Sequence, residues 1–150
     1  MNRQGQEGEG FRLLVEAVLV VLILVIIMSV ISQVENWLWN VSEQRVFEGF
    51  SKALKSPNGD VIFEKDIVLR QGLRFTSDAF AKSTAGIEKE CIELQASDST
   101  AFSKISERAV EIASQIKTPV YYKCLPGYAA GNNECETYCI VSFGEELKKE

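Results

Sequence analysis

The hydrophobic pattern divides the chain near residue 34. From Ala17 to Ile31 the single polar side chain is Ser29, and the mostly apolar flanks extend the run from Phe11 to Val34. About 20 such residues match the ~30 Å hydrocarbon core of a bilayer. A helix packed in a soluble core keeps a polar stripe, whereas this run is apolar all round. It predicts a transmembrane helix. Trp37 and Trp39 follow where an interfacial aromatic belt belongs. Val34, Trp37, Leu38, Val41, Phe47, Phe50 and Leu54 then recur mostly at spacings of three or four. No Pro or Gly interrupts Phe11 to Glu48. One helix of about 65 Å is therefore expected from residue 11 to about residue 55. Its residues 11–34 would lie in lipid, and 35–56 would form an amphipathic extension along a head domain. Ser56-Pro57-Asn58-Gly59 terminates it and starts a turn.

The head, residues 57–144, changes period. Val61, Phe63, Ile67 and Leu69 alternate with Glu64, Asp66 and Arg70, which predicts a half-buried strand, and Leu73-Arg74-Phe75 a further short one. Thr76-Ser77-Asp78 can cap a short helix through Lys82. Glu90 to Leu94 predicts another strand. Phe102, Ile105, Ala109, Ile112, Ala113 and Ile116 fall on one helical face, with caps at Ser97-Asp98-Ser99 and a stop at Thr118-Pro119. A helix over 97–118, packed on the sheet, is expected. Val120–Cys124 and Thr137–Phe143 read as the two strands of a long-looped hairpin. Residues 145–150 form a charged tail that should fray. The expected fold class is α+β, with a long N-terminal transmembrane-to-head helix and a small, mostly antiparallel sheet. One further packed helix and a C-terminal, disulfide-stapled hairpin complete it.

Composition narrows the chemistry. The 150 residues carry a formal charge of −5, and beyond residue 34 the balance is 14 basic against 18 acidic. A weakly acidic, mixed surface argues against a nucleic-acid partner, since phosphate binding needs clustered Lys and Arg. There is no histidine, which removes the commonest general base and metal ligand. No phosphate-binding loop, dinucleotide turn or nucleophile elbow is present. An enzyme is not expected, nor a cofactor.

Cys91, Cys124, Cys135 and Cys139 are an even set in a small domain, and two disulfides are expected. Sequence leaves three pairings open. The favoured one joins Cys124 to Cys135, closing a loop of about 10 intervening residues worth roughly 2–3 kcal/mol, and Cys91 to Cys139. A four-cysteine zinc site would show two tight knuckles, and a thiol-redox enzyme would show Cys-x-x-Cys. Neither pattern is here. The cysteines place the head on the extracytoplasmic side, as does the glycosylation acceptor Asn40-Val41-Ser42.

Residues 1–10 are a polar, Gly-rich leader, MNRQGQEGEG, followed by Phe11, and Glu16 sits near the start of the apolar run. This arrangement, with its long amphipathic continuation, resembles a type IV pilin or an archaeal class III signal peptide. GFRLLVEAVL also resembles archaeal membrane-anchored proteins. The resemblance covers about the first third of the chain. It implies that a prepilin-type peptidase cuts between Gly10 and Phe11, and that Glu16 pairs with the new N-terminal amine of an adjacent subunit. Glu16 stands sixth after that point, one place beyond the bacterial family position. The implied role is structural: a subunit of a surface filament or pseudopilus, with membrane lipid and other copies of itself as partners. A single-pass anchored domain that presents its sheet or its 125–135 loop to a ligand, without polymerising, is the alternative. A membrane-tethered metal or redox module is a third reading, resting on the cysteines alone.

Overall fold

The computed structural model describes residues 6–148, and the side chains of 9–148. The first five residues of the leader and the last two of the tail lie outside the described residues. Helix α1 spans Gln6–Lys55. Lys52 and Lys55 lie in its last turn, where cations complement the carbonyl end of the helix dipole. Pro57 then disfavours helical backbone at the residue before it. The following turn is closed by Asp60 N–H donating to Asn58 Oδ1 at 3.1 Å, with Gly59 in the left-handed region at φ 82°.

The chain divides into two compact units between Leu38 and Trp39. In the first, every described side chain from Glu9 to Leu38 is exposed. It belongs to the helix that is long and apolar enough to cross a membrane.

The second unit is the head. Here α1 acquires a buried stripe, Ser42, Val46, Gly49, Phe50 and Ala53, at the three-and-four spacing of one helical face. After it come β1 (Val61–Leu69), β2 (Arg74–Thr76), α2 (Ser77–Ser83), β3 (Ile92–Ala96), β4 (Phe102–Ser106), β5 (Ala109–Ile112), β6 (Ile116–Pro126) and β7 (Thr137–Phe143). Four strands form one sheet in the order β1-β6-β7-β3, antiparallel except that β3 runs parallel to β7. The other three form an antiparallel sheet in the order β2-β5-β4.

Alternation along β6 turns Thr118, Val120, Tyr122 and Cys124 inward, and β7 adds Cys139, Val141 and Phe143. Phe47 and Phe50 of α1 meet Phe80 of α2 at ring-centroid distances of 5.0 and 5.1 Å. Phe75 of β2 meets Phe143 of β7, also at 5.0 Å. Aromatic pairs at such distances contribute about 0.5–1.5 kcal/mol each beyond burial. Helix and sheet touch most closely at Gly49. A Cβ there would stand 2.5 Å from Tyr122 Cε2, so only glycine fits. Edge strand β1 bulges between Glu64 and Ile67, with Asp66 at φ 57°. Asp tolerates that conformation better than most residues with a Cβ.

Two expectations need correction. The helix foreseen over 97–118 is instead β4, β5 and the start of β6. The three-and-four spacing of its apolar residues arises from a bulged hairpin: the β4–β5 register shifts between Lys104 and Ser106, leaving Ile105 exposed. The hairpin turn is held by Arg108 N–H donating to Ser106 Oγ, and Leu94 N–H donates to Glu107 O at 2.8 Å. Tertiary pairing overrides a weak local preference. The further helix is α2, where Thr76 Oγ1 accepts from Ala79 N–H at 3.2 Å. The second correction concerns the strand expected from Glu90. It begins at Ile92, after a short 3-10 turn at Lys89–Cys91.

Candidate functional site

The residues singled out near the N-terminus all lie on α1. Gly10 and Phe11 are exposed within its early turns. Glu16 is also exposed, and its Oε1 takes a hydrogen bond from Arg12 Nε at 3.3 Å, one turn away. Asn40 is exposed inside the helix, but Ser42 of the same acceptor sequence is buried.

The cysteines pair differently from the favoured arrangement. Cys91 bonds Cys135, and Cys124 bonds Cys139. The strand register explains both. Cys124 and Cys139 are direct cross-strand partners on the inward face of β6 and β7. The residue beside Cys139 across the β3–β7 pairing is Ile92, so Cys91 falls just outside the ladder. There it meets Cys135, which precedes β7. All four sulfurs are paired in these two disulfides.

The Cys91–Cys135 bond anchors the loop between β6 and β7. Inside the loop Ala129 N–H donates to Pro126 O at 2.9 Å and Asn132 N–H to Gly127 O at 2.9 Å. Gly127 has no room for a side chain, since a Cβ would stand 1.7 Å from Cys135 O. These constraints hold Tyr128 outward, 77% exposed.

This loop walls a cleft of about 880 Å³ on the sheet face opposite the core. Its floor is formed by the outward residues Lys123 and Leu125 of β6, Tyr138 and Ile140 of β7, and Glu93 of β3. The 57–60 turn and tail residues 147–148 supply the other walls. Tyr138 donates its hydroxyl to Glu93 Oε2 at 2.7 Å, and Gln95 Nε2 donates to Glu93 Oε1 at 2.8 Å. Burial, reinforced by the bond to Glu93, pushes the Tyr138 phenol well above its ordinary range. Lys123 Nζ donates to the carbonyl of Lys148 at 3.1 Å, which holds the tail against the cleft. The volume lies within the range of small-molecule sites.

On the inward side, Glu64 joins β1 to α1. It accepts from Arg45 Nη2 at 3.1 Å and from Lys52 Nζ at 3.0 Å. Burial pushes its pKa up, but the bonds from Lys52 and Arg45 outweigh that and hold it below the usual carboxylate range. The Tyr122 hydroxyl is buried with no hydrogen-bond partner among the described residues, and burial pushes its phenol far up. Among the described residues no cluster of three His, Cys, Asp or Glu side chains could hold a metal ion.

Sequence reasoning pointed to the 125–135 loop but not to Glu93, Lys123 or Tyr138, which the pairing of β3, β6 and β7 brings together. The signal available was their alternation with inward residues on three separate strands. No family model, curated protein or solved structure matches the chain.

Proposed function

We propose that this chain is a membrane-anchored, extracytoplasmic structural subunit that self-associates through the N-terminal half of α1 in the manner of a type IV pilin. The observation that carries the reading is the unbroken helix α1, apolar and exposed over 17–31 and contributing a buried stripe to the head from Ser42 onward. So large an exposed apolar surface needs a cover, and lipid and packed copies of the same helix both supply one. The two disulfides support an oxidising, extracytoplasmic setting for the head. In this reading a prepilin-type peptidase cuts between Gly10 and Phe11. Glu16 then exchanges Arg12 for the amine of a neighbouring subunit, which relieves the cost of a carboxylate at membrane depth.

The intact mass of the protein purified from its native membrane tests the first step. Loss of residues 1–10 is expected. Glu16→Ala should stay in the membrane yet assemble poorly, and normal filaments from that variant would remove Glu16 from assembly. The outer-face cleft favours a second reading, an anchored binding domain that does not polymerise. An intact Met1 and a detergent-extractable monomer would select it.

A further inference from the structure

We infer that the outer-face cleft binds a neutral oligosaccharide, with Tyr128 as its stacking platform. The inference stands apart from assembly, since it concerns the head alone. Three features carry it.

The first is Tyr128. A large aromatic ring, 77% exposed, is held out at a cleft wall by a loop that a disulfide, a required glycine and several backbone hydrogen bonds keep rigid. Rigid presentation lowers the ordering cost of binding. An aromatic face suits the apolar C–H face of a sugar ring.

The second is charge. The carboxylates of Asp60 and Glu93 are matched by the ammonium groups of Lys123 and Lys148 around the same cleft. A balanced lining gives no field that would select a polyanion or a polycation.

The third is prepositioned polar groups with capacity to spare. Among the described residues each Glu93 oxygen takes one hydrogen bond, from Tyr138 or Gln95, and keeps a second acceptor site. Lys123 Nζ spends one of three donors on Lys148. Asn132 uses its Oδ1 to accept from Glu134 N–H, and its amide nitrogen has no bond among the described residues. Donors and acceptors side by side around an aromatic platform match vicinal hydroxyls, each of which both donates and accepts.

The test uses the full chain in phosphatidylcholine nanodiscs, which avoids sugar-based detergents. Neutral hexasaccharides of glucose, mannose and N-acetylglucosamine are titrated by calorimetry, beside hexasaccharides of heparin and polygalacturonate. At least one neutral probe should bind with a Kd of about 1 mM or tighter. Tyr128→Ala should weaken it about tenfold at an unchanged thermal midpoint, and Tyr128→Phe should retain affinity within about twofold. No neutral binding, preference for the charged probes, or equal affinity in Tyr128→Ala would each overturn the inference. None of these outcomes bears on cleavage after Gly10 or on filament formation.

Discussion

The Tyr122 hydroxyl offers a test of how the head is packed. The side chain is fully buried on β6 under α1, at the point where Gly49 lets helix and sheet approach, and its oxygen has no partner among the described residues. A buried hydroxyl deprived of hydrogen bonds costs about 1–3 kcal/mol. Tyr122→Phe removes that cost and leaves the ring in place. The void is smaller than a methyl group, so the loss from looser packing stays below about 1 kcal/mol. The variant should therefore be more stable by about 1 kcal/mol, raising the midpoint of a head of this size by roughly 4–6 °C. Near-UV circular dichroism of the full chain in nanodiscs reads that midpoint. A second readout follows from titration. Because burial raises the folded phenol far above its ordinary value of 10, the unfolded chain ionises first as pH rises. Stability is then complete below pH 10 and falls above it by up to about 1.4 kcal/mol per pH unit from this group. Tyr122→Phe should flatten that alkaline slope. A variant destabilised by more than about 1 kcal/mol, with an unchanged slope, would mean that the hydroxyl has a partner and that the packing is misread.

Glu64→Gln should cost about 1 kcal/mol at pH 7 and low salt, by loss of the pairs to Arg45 and Lys52. Because the folded pKa is lowered from 4.5, the wild-type advantage is present above pH 4.5 and disappears as pH falls through the folded value. Midpoints of both proteins across an acid series check this. Removing Cys91–Cys135 by paired alanine substitution should cost about 4 kcal/mol, and removing Cys124–Cys139 about 3 kcal/mol, from their separations of 44 and 15 residues. Hydrogen exchange should rise across 127–136 only in the first variant, because the second bond lies inside a ladder that β-pairing already holds.

Legibility followed the range of the interactions. From Phe11 to its end helix α1 was readable because its determinants are local: an apolar run, an uninterrupted three-and-four period and Pro57; its start at Gln6, inside the polar leader, was not. Strand β7 was equally plain from Thr137 to Phe143. The segment 97–118 misled because the spacing from Phe102 to Ile116 fits a helix and a bulged hairpin alike, and the choice lies in contacts such as Leu94 with Glu107. Disulfide pairing depended on the register of β6 against β7, which no local pattern states. The cleft was illegible for the same reason, since Glu93, Lys123 and Tyr138 share no sequence neighbourhood.

The bulge at Asp66 bears on the company the head keeps. A nine-residue strand at the margin of a sheet leaves a row of backbone groups open to pairing with another chain. In β1 the run is broken after Glu64, where the left-handed Asp66 twists the edge and Lys65 adds a charge beside it. A straight foreign strand therefore finds no long matching register. Heads brought close together are thus spared indiscriminate β-aggregation through this edge.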